Sequence, residues 1–227
     1  MRLLIFSFLY FFCFLVNHGL AKTQKIMIFG DSLVAGFGLM REDSFPSQLE
    51  KNLLSENYDI KIINAGVSGE TTAGGLARLE WTISDSPDAL ILILGGNDML
   101  RGIPTKNIKK NLSQMLKILN QKNIEVLLAG MLSTDNFGKN YRESFDSIYP
   151  SLSAKYDVVF YPFFLENVAL VPWFNQNDGL HPNKDGVKLI VSQIMPFVRT
   201  LINRINENSH QWSIEKMKLR LLQTYWV

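Results

Sequence analysis

The run "DALILILGG" (88–96) limits the folds open to this chain more than any other feature. Six consecutive residues after Asp88 are apolar, and the run stops at two glycines. A strand with one wet face alternates polar and apolar residues. A strand without alternation is buried on both faces, which is the condition of a central strand in a parallel sheet. Four other short runs repeat the theme: "KIMIFG" (25–30), "DIKIINAG" (59–66), "IEVLLAG" (124–130) and "DVVFYP" (157–162). Stretches with helical spacing separate them, over 45–56, 74–84, 105–121, 140–155 and 184–204. In the third, Ile108, Leu112, Met115, Leu116 and Leu119 form one apolar face behind Pro104 and Thr105. Strands that alternate with helices imply right-handed βαβ crossovers, hence an α/β domain with helices on both faces of a parallel sheet. No repeat or linker divides the chain, so a single domain is expected.

The first 21 residues stand apart. Arg2 precedes "LLIFSFLYFFCFLV", which is too short to span a bilayer comfortably. Gly19 and Ala21 then occupy the −3 and −1 positions of a small-residue cleavage site. This is the pattern of a secretory signal peptide, with a mature chain starting near Lys22; an uncleaved membrane anchor is the competing reading. A lipoprotein would use Cys13, but "YFFC" lacks the small residues that should precede it. The expected organisation is a leader over 1–21, one folded domain over 22–204 and a tail over 205–227. Removing the leader takes away the only cysteine and His18, which leaves His181 and His210 as the only histidines. No disulfide and no multi-histidine metal site can then form within the chain. A formal charge of +2 with scattered Lys and Arg gives no basic stripe for nucleic acid.

In a parallel sheet of this kind, ligands bind beyond the carboxyl ends of the strands. Three strands run into "GDSLVAG", "NAGVSGETTAGG" and "GGNDML", and "NDGLHPN" (177–183) precedes the last helical stretch. Ser32 sits where the first strand stops, in a position that suits a nucleophile; equally, Asp31 or Ser32 is placed to cap a following helix. Neither a phosphate-binding lysine motif nor a G-x-S-x-G elbow is present. A serine needs a base, and Asp178 and His181, three residues apart, fall on one face if they share a helical turn. His210 lies in the polar run "NRINENSHQW" and offers less. The Gly69 backbone N–H and the Asn97 side-chain amide are candidate donors to an oxyanion, although each residue also suits a simple turn or cap.

Together these segments resemble the SGNH (GDSL-type) hydrolases, particularly the bacterial thioesterase I, lysophospholipase and arylesterase group. "FGDSLVAGFG", "NAGVSGETTAGGLARL", "LGGNDMLRG" and "DGLHPN" carry the likeness, which extends over about residues 25–200. The resemblance implies a flavodoxin-like sheet of order 2-1-3-4-5 and no cofactor. It also implies hydrolysis of acyl esters, thioesters or lysophospholipids through an acyl-serine intermediate. Ser32, Asp178 and His181 would be catalytic, with Ser32, Gly69 and Asn97 as the oxyanion hole. A periplasmic or secreted monomer of a Gram-negative bacterium is the expected setting. SGNH-type deacylation of polysaccharide and non-catalytic lipid binding are the alternatives. Two features depart from the group. Ser133-Thr134 stand where a Leu-Pro step is usual near the acyl pocket. The chain also continues past 204, where Trp212, Ile214, Met217, Leu219, Leu222 and Trp226 outline an imperfect amphipathic stripe. A disordered or loosely docked tail and peripheral membrane contact compete there. Expected walls of an apolar acyl pocket are Leu33, Met99, Leu100, Ile103, Phe137, Trp173 and Phe174.

Overall fold

The computed structural model describes residues 23–224, with side chains described through Asn208. The expected leader and the stripe over 212–226 therefore lie outside the described side chains. Five strands, β1 (Gln24–Gly30), β2 (Ile60–Gly66), β3 (Ala89–Ile93), β4 (Glu125–Ala129) and β5 (Val159–Tyr161), form one parallel sheet of order β2-β1-β3-β4-β5. All five residues of β3 are buried, as the unbroken aliphatic run requires. β1 lies between β2 and β3, so Ile26, Met27, Ile28 and Phe29 are buried as well. Gly30 pairs with Gly66 on one side and Ile93 on the other, so three strands end at one level.

Helices cover both faces. On one side α3 (Thr72–Thr82) packs on α5 (Thr105–Gln121), and α5 packs on α7 (Ile148–Tyr156). The five apolar residues expected to face inward from α5 are all buried. Truncating one of them, such as Leu116→Ala, removes fully buried methyl groups and costs about 2–5 kcal/mol. On the other side, α2 (Phe45–Ser55) and α8 (Lys184–Thr224) pack together, with α8 also lying on β4 and β5. Short helices α1 (Ser32–Ala35) and α4 (Gly96–Leu100) follow β1 and β3.

Two boundaries differ from expectation. The helical stretch 140–155 is two helices, α6 (Lys139–Asp146) and α7, joined at Ser147. Pro150 explains the break. It has no N–H to give the Asp146 carbonyl, and its ring crowds that carbonyl. The last helix does not stop near 204 but runs to Thr224. Its packed part reaches at least Asn208: Ile205 is buried, Asn206 accepts from Gln24 (2.6 Å), and Asn208 donates to Glu125 (2.6 Å).

Candidate active site

The site lies at the carboxyl edge of the sheet, where β1 passes into α1. Asp31 caps that single turn, its Oδ1 accepting the Leu33 N–H at 3.0 Å. The cap is therefore Asp31, and the hydroxyl of Ser32 engages a different partner. His181, which comes 149 residues later, places Nε2 at 2.9 Å from Ser32 Oγ. Its other nitrogen, Nδ1, lies 2.7 Å from Asp178 Oδ2. The three side chains form one hydrogen-bonded chain.

The pairing of Asp178 with His181 does not use a helical turn. Gly179 has φ +71°, which no α-helix accommodates, and the segment is a loop. Asp178 Oδ1 instead accepts the N–H groups of Leu180 (2.9 Å) and His181 (3.0 Å), so the carboxylate folds its own loop back and aims Oδ2 at the ring. The His181 and Leu180 backbone donors, then the imidazole, hold the Asp178 carboxyl down at about 2. It is ionised wherever an imidazole is a working base.

The loop is braced from both ends. Asn175 donates to the carbonyls of Val168 (2.7 Å) and Val171 (2.8 Å), and it bridges to Pro182. Gln176 takes the His181 carbonyl on its N–H (2.8 Å), and its side chain donates to the carbonyls of Pro182 (3.0 Å) and Phe37 (2.8 Å). The segment after β1 and the histidine loop are thus tied directly together. The Phe37 ring lies 4.6 Å from the imidazole, centroid to centroid.

The two oxyanion-donor candidates come from neighbouring loops. Asn97, in α4, donates through Nδ2 to Asp31 Oδ2 at 3.1 Å, which uses one of its two amide hydrogens. Burial pushes the Asp31 carboxyl up to about 6, against the lowering effect of the hydrogen bonds from Leu33 and Asn97. Gly69 has φ +77°, and Arg101 donates to its carbonyl at 2.9 Å. The Ser32 N–H is in the first turn of α1, where no intrahelical acceptor exists. Ser32 and Asn97 are linked through Asp31. The Gly69 loop is joined to the Asn97 segment through Thr72 and Asp98, described next.

Five supporting residues carry no clear mark in the sequence. Asp98, buried at 1% exposure, accepts both the N–H (2.8 Å) and the hydroxyl (2.6 Å) of Thr72, and Asn111 donates to that hydroxyl at 3.0 Å. Glu70 and Arg78 form an ion pair beside the Gly69 loop, and Arg78 also donates to the Ala65 carbonyl (2.8 Å) and stacks over Phe29. An acid next to Asn97 in a strand-end loop was the one available signal, since a carboxylate there either meets solvent or ties loops together.

A cleft opens beside Ser32 and His181. Apart from those two, every residue lining it is apolar, and of the seven expected acyl-pocket walls only Leu33 contributes. Met99 belongs to the buried core, and Ile103 and Phe174 pack against it. Leu100 and Trp173 are exposed, and Phe137 lies against Tyr141. Met99 faces the core because the short α4 turns it inward.

A parallel α/β sheet with serine, histidine and aspartate joined at its carboxyl edge defines a serine-hydrolase type of architecture. Residues 28–189 match the GDSL-like lipase/acylhydrolase family. The chain is 38% identical over 182 residues to the arylesterase of Vibrio mimicus, covering 80% of this chain and 90% of that one. It is 34% identical over 197 residues to the thioesterase 1/protease 1/lysophospholipase L1 of Escherichia coli K12, covering 86% and 92%. The crystal structure of TesA superposes with a TM-score of 0.75 at 35% identity, covering 78% of this chain and 99% of that one. The chain belongs to the GDSL-like lipase/acylhydrolase family, and it is a hydrolase of ester bonds.

Proposed function

We propose that Ser32 is the nucleophile of this esterase, His181 its general base and then acid, and Asp178 the group that orients and stabilises His181. The Ser32 hydroxyl adds to the ester or thioester carbonyl as its proton passes to His181 Nε2. The Ser32 N–H, the Gly69 N–H and the Asn97 amide stabilise the oxyanion. The carbonyl re-forms, the leaving oxygen or sulfur departs with the proton from His181, and Ser32 is left acylated. Water then repeats the sequence and releases the acid. The observation that carries this reading is the unbroken chain of 2.9 Å and 2.7 Å contacts linking Ser32, His181 and Asp178.

The substrates are carboxylic esters with an acyl chain of medium or greater length. All five candidate residues come from one chain, which suits a monomer. The leader pattern over 1–21 supports export to the periplasm or beyond, where acyl-CoA is scarce. Purified Ser32→Ala protein is expected to fold normally and to lose turnover of p-nitrophenyl acyl esters. Wild-type rates in that variant would rule out Ser32 as the nucleophile. Stoichiometric labelling of wild-type Ser32 by a fluorophosphonate separates an enzyme from a passive lipid binder.

A further inference from the structure

Charge is unevenly spread along this chain. From Met99 to Ile124 it carries six cationic side chains and no acid, in a protein whose formal charge is only +2. Three of the six, Lys106, Lys109 and Lys110, stand in the first two turns of α5. All three are exposed, and none has an ion-pair partner among the described residues. Folding does not ask for them there. The helix dipole favours acids at this end, and Lys106 repels Lys110 one turn along. In α6 and the turn before it, the exposed acids Asp135 and Glu143 already pair with Arg142 and Lys139.

That end of α5 lies at the carboxyl edge of the sheet, and the same edge is apolar where it meets water. Of the eleven large hydrophobic side chains exposed among the described residues, all but Leu54 and Trp81 lie between the end of a strand and the next helix of two turns or more. Those two sit at the far ends of α2 and α3. Single exposed apolar residues are ordinary, but a gathering at one edge marks a contact surface. Each of the five strands contributes: Phe37 follows β1, Val67 β2, Leu100 β3, Phe137 β4, and Trp173 and Leu180 β5. Around the lysines the pieces touch. Phe137 Cε1 is 3.5 Å from where a Cβ on Gly102 would stand. Tyr141, which lies against Phe137, donates to the Ile103 carbonyl at 2.9 Å. Arg101 reaches the Gly69 carbonyl at 2.9 Å, two residues beyond Val67. Val67, Leu100 and Phe137 thus share one flank of the edge with Arg101 and the three lysines.

Exposed apolar groups flanked by unpaired lysines match one kind of partner. A soluble polyanion engages the lysines and leaves the apolar groups in water. An apolar cleft on another protein does the reverse. The boundary of an anionic bilayer satisfies both, because apolar chains lie just beneath a layer of phosphates. We propose that the carboxyl edge of the sheet docks on an anionic phospholipid bilayer, with Leu100 and Phe137 entering the headgroup layer and Lys106, Lys109 and Lys110 engaging its phosphates. This surface belongs to the folded domain and is distinct from the stripe over 212–226. It depends neither on the Ser32–His181 reading nor on which ester is cleaved. Docking in this way turns the edge that carries Ser32 and His181 toward the lipid.

The test is co-sedimentation with vesicles of phosphatidylcholine, with and without phosphatidylglycerol. Wild-type protein should bind the anionic vesicles at least about tenfold more tightly, and added salt should weaken that binding. Lys106→Gln, Lys109→Gln and Lys110→Gln combined should lower the partition constant on anionic vesicles about 10²-fold, since one lysine near such a surface contributes about fivefold. The triple variant should keep the wild-type rate on soluble p-nitrophenyl butyrate, which reports an intact fold. Leu100→Ser, with the lysines in place, should weaken binding about tenfold. Ser32→Ala should bind vesicles as the wild type does, so that failure of the nucleophile assignment and failure of this proposal stay distinguishable. Equal binding to neutral and anionic vesicles would overturn the proposal. So would anionic binding that survives both the lysine and the Leu100 substitutions, because the contact would then lie elsewhere in the chain. Retention by dextran sulfate as tight as by vesicles, with Leu100→Ser making no difference to either, would make the lysines a polyanion site instead.

Discussion

Asp98 and Thr72, 26 residues apart, are joined by two hydrogen bonds in which one buried carboxylate takes both the backbone and the hydroxyl proton of the threonine. Asn97 precedes Asp98, and Thr72 opens the helix that follows the Gly69 loop. This pair therefore sets the distance between the two loops that carry the candidate oxyanion donors. Asp98→Ala leaves two buried donors without an acceptor, which costs about 1–3 kcal/mol for each. It should also lower kcat by about 10²-fold while KM moves little, because misplaced donors are missed only in the transition state. Thr72→Ser keeps both donors and should behave as wild type. A change confined to KM in Asp98→Ala would contradict this role.

Asn97→Ala should lower kcat by about 10²–10³-fold with a smaller effect on KM, the mark of a donor that acts on developing charge. Steady-state kinetics on a soluble p-nitrophenyl ester measure both constants. A pure rise in KM would make Asn97 a ground-state contact.

Asp31 supplies a pH prediction. Its folded-state value is raised from 3.8 to about 6, so between those values the folded protein holds a proton that the unfolded chain has released. Stability therefore falls as pH rises through this window. Asp31→Asn cannot ionise. Relative to that variant, the wild type should lose on the order of 3 kcal/mol between pH 4 and pH 7, measured by urea unfolding at several pH values. A constant difference between the two proteins would show that Asp31 does not titrate there. The same substitution sets one amide donor against that of Asn97, so activity should drop even where stability improves.

Gly69→Ala separates backbone strain from crowding. The nearest atom to an added Cβ is Arg101 Nη2 at 3.7 Å, which is ordinary contact, while φ +77° disfavours any side chain. The expected cost is about 1–2 kcal/mol of stability. The rate should fall more than that loss implies, because the N–H of residue 69 shifts as the backbone relaxes. Circular-dichroism melting together with kcat distinguishes the two effects.

Gln176→Ala removes the side chain that ties the Phe37 carbonyl to the Pro182 carbonyl. With the two loops uncoupled, the 2.9 Å contact between Ser32 and His181 loses its brace. kcat should fall about tenfold, and fluorophosphonate labelling of Ser32 should slow in proportion. Labelling at the wild-type rate would mean that the loops hold their spacing without Gln176.

Much of the fold was legible because burial on both faces leaves a plain mark. β3 is unbroken Ala-Leu-Ile-Leu-Ile, and the inward face of α5 repeats at helical spacing. The quoted motifs located the segments that meet at the carboxyl edge, because each ends a strand or precedes the last helix. What escaped notice was governed by contacts distant in sequence or by a single residue's backbone. The Asp178 loop is shaped by two hydrogen bonds to its own backbone and by Gly179, not by a helical turn. Asp98 looks like any loop acid until Thr72 is seen against it. The inward turn of Met99 was not legible because α4, five residues long, is too short to show a period.

The order of the reacting groups along the chain has a bearing on biosynthesis. Ser32 belongs to the first βα unit made, whereas His181 arrives just before the final helix, 149 residues later. A nascent polypeptide thus displays the Ser32 hydroxyl before its His181 partner exists. The Ser32–His181 contact can form only once residue 181 has been made, when little more than the final helix remains to follow.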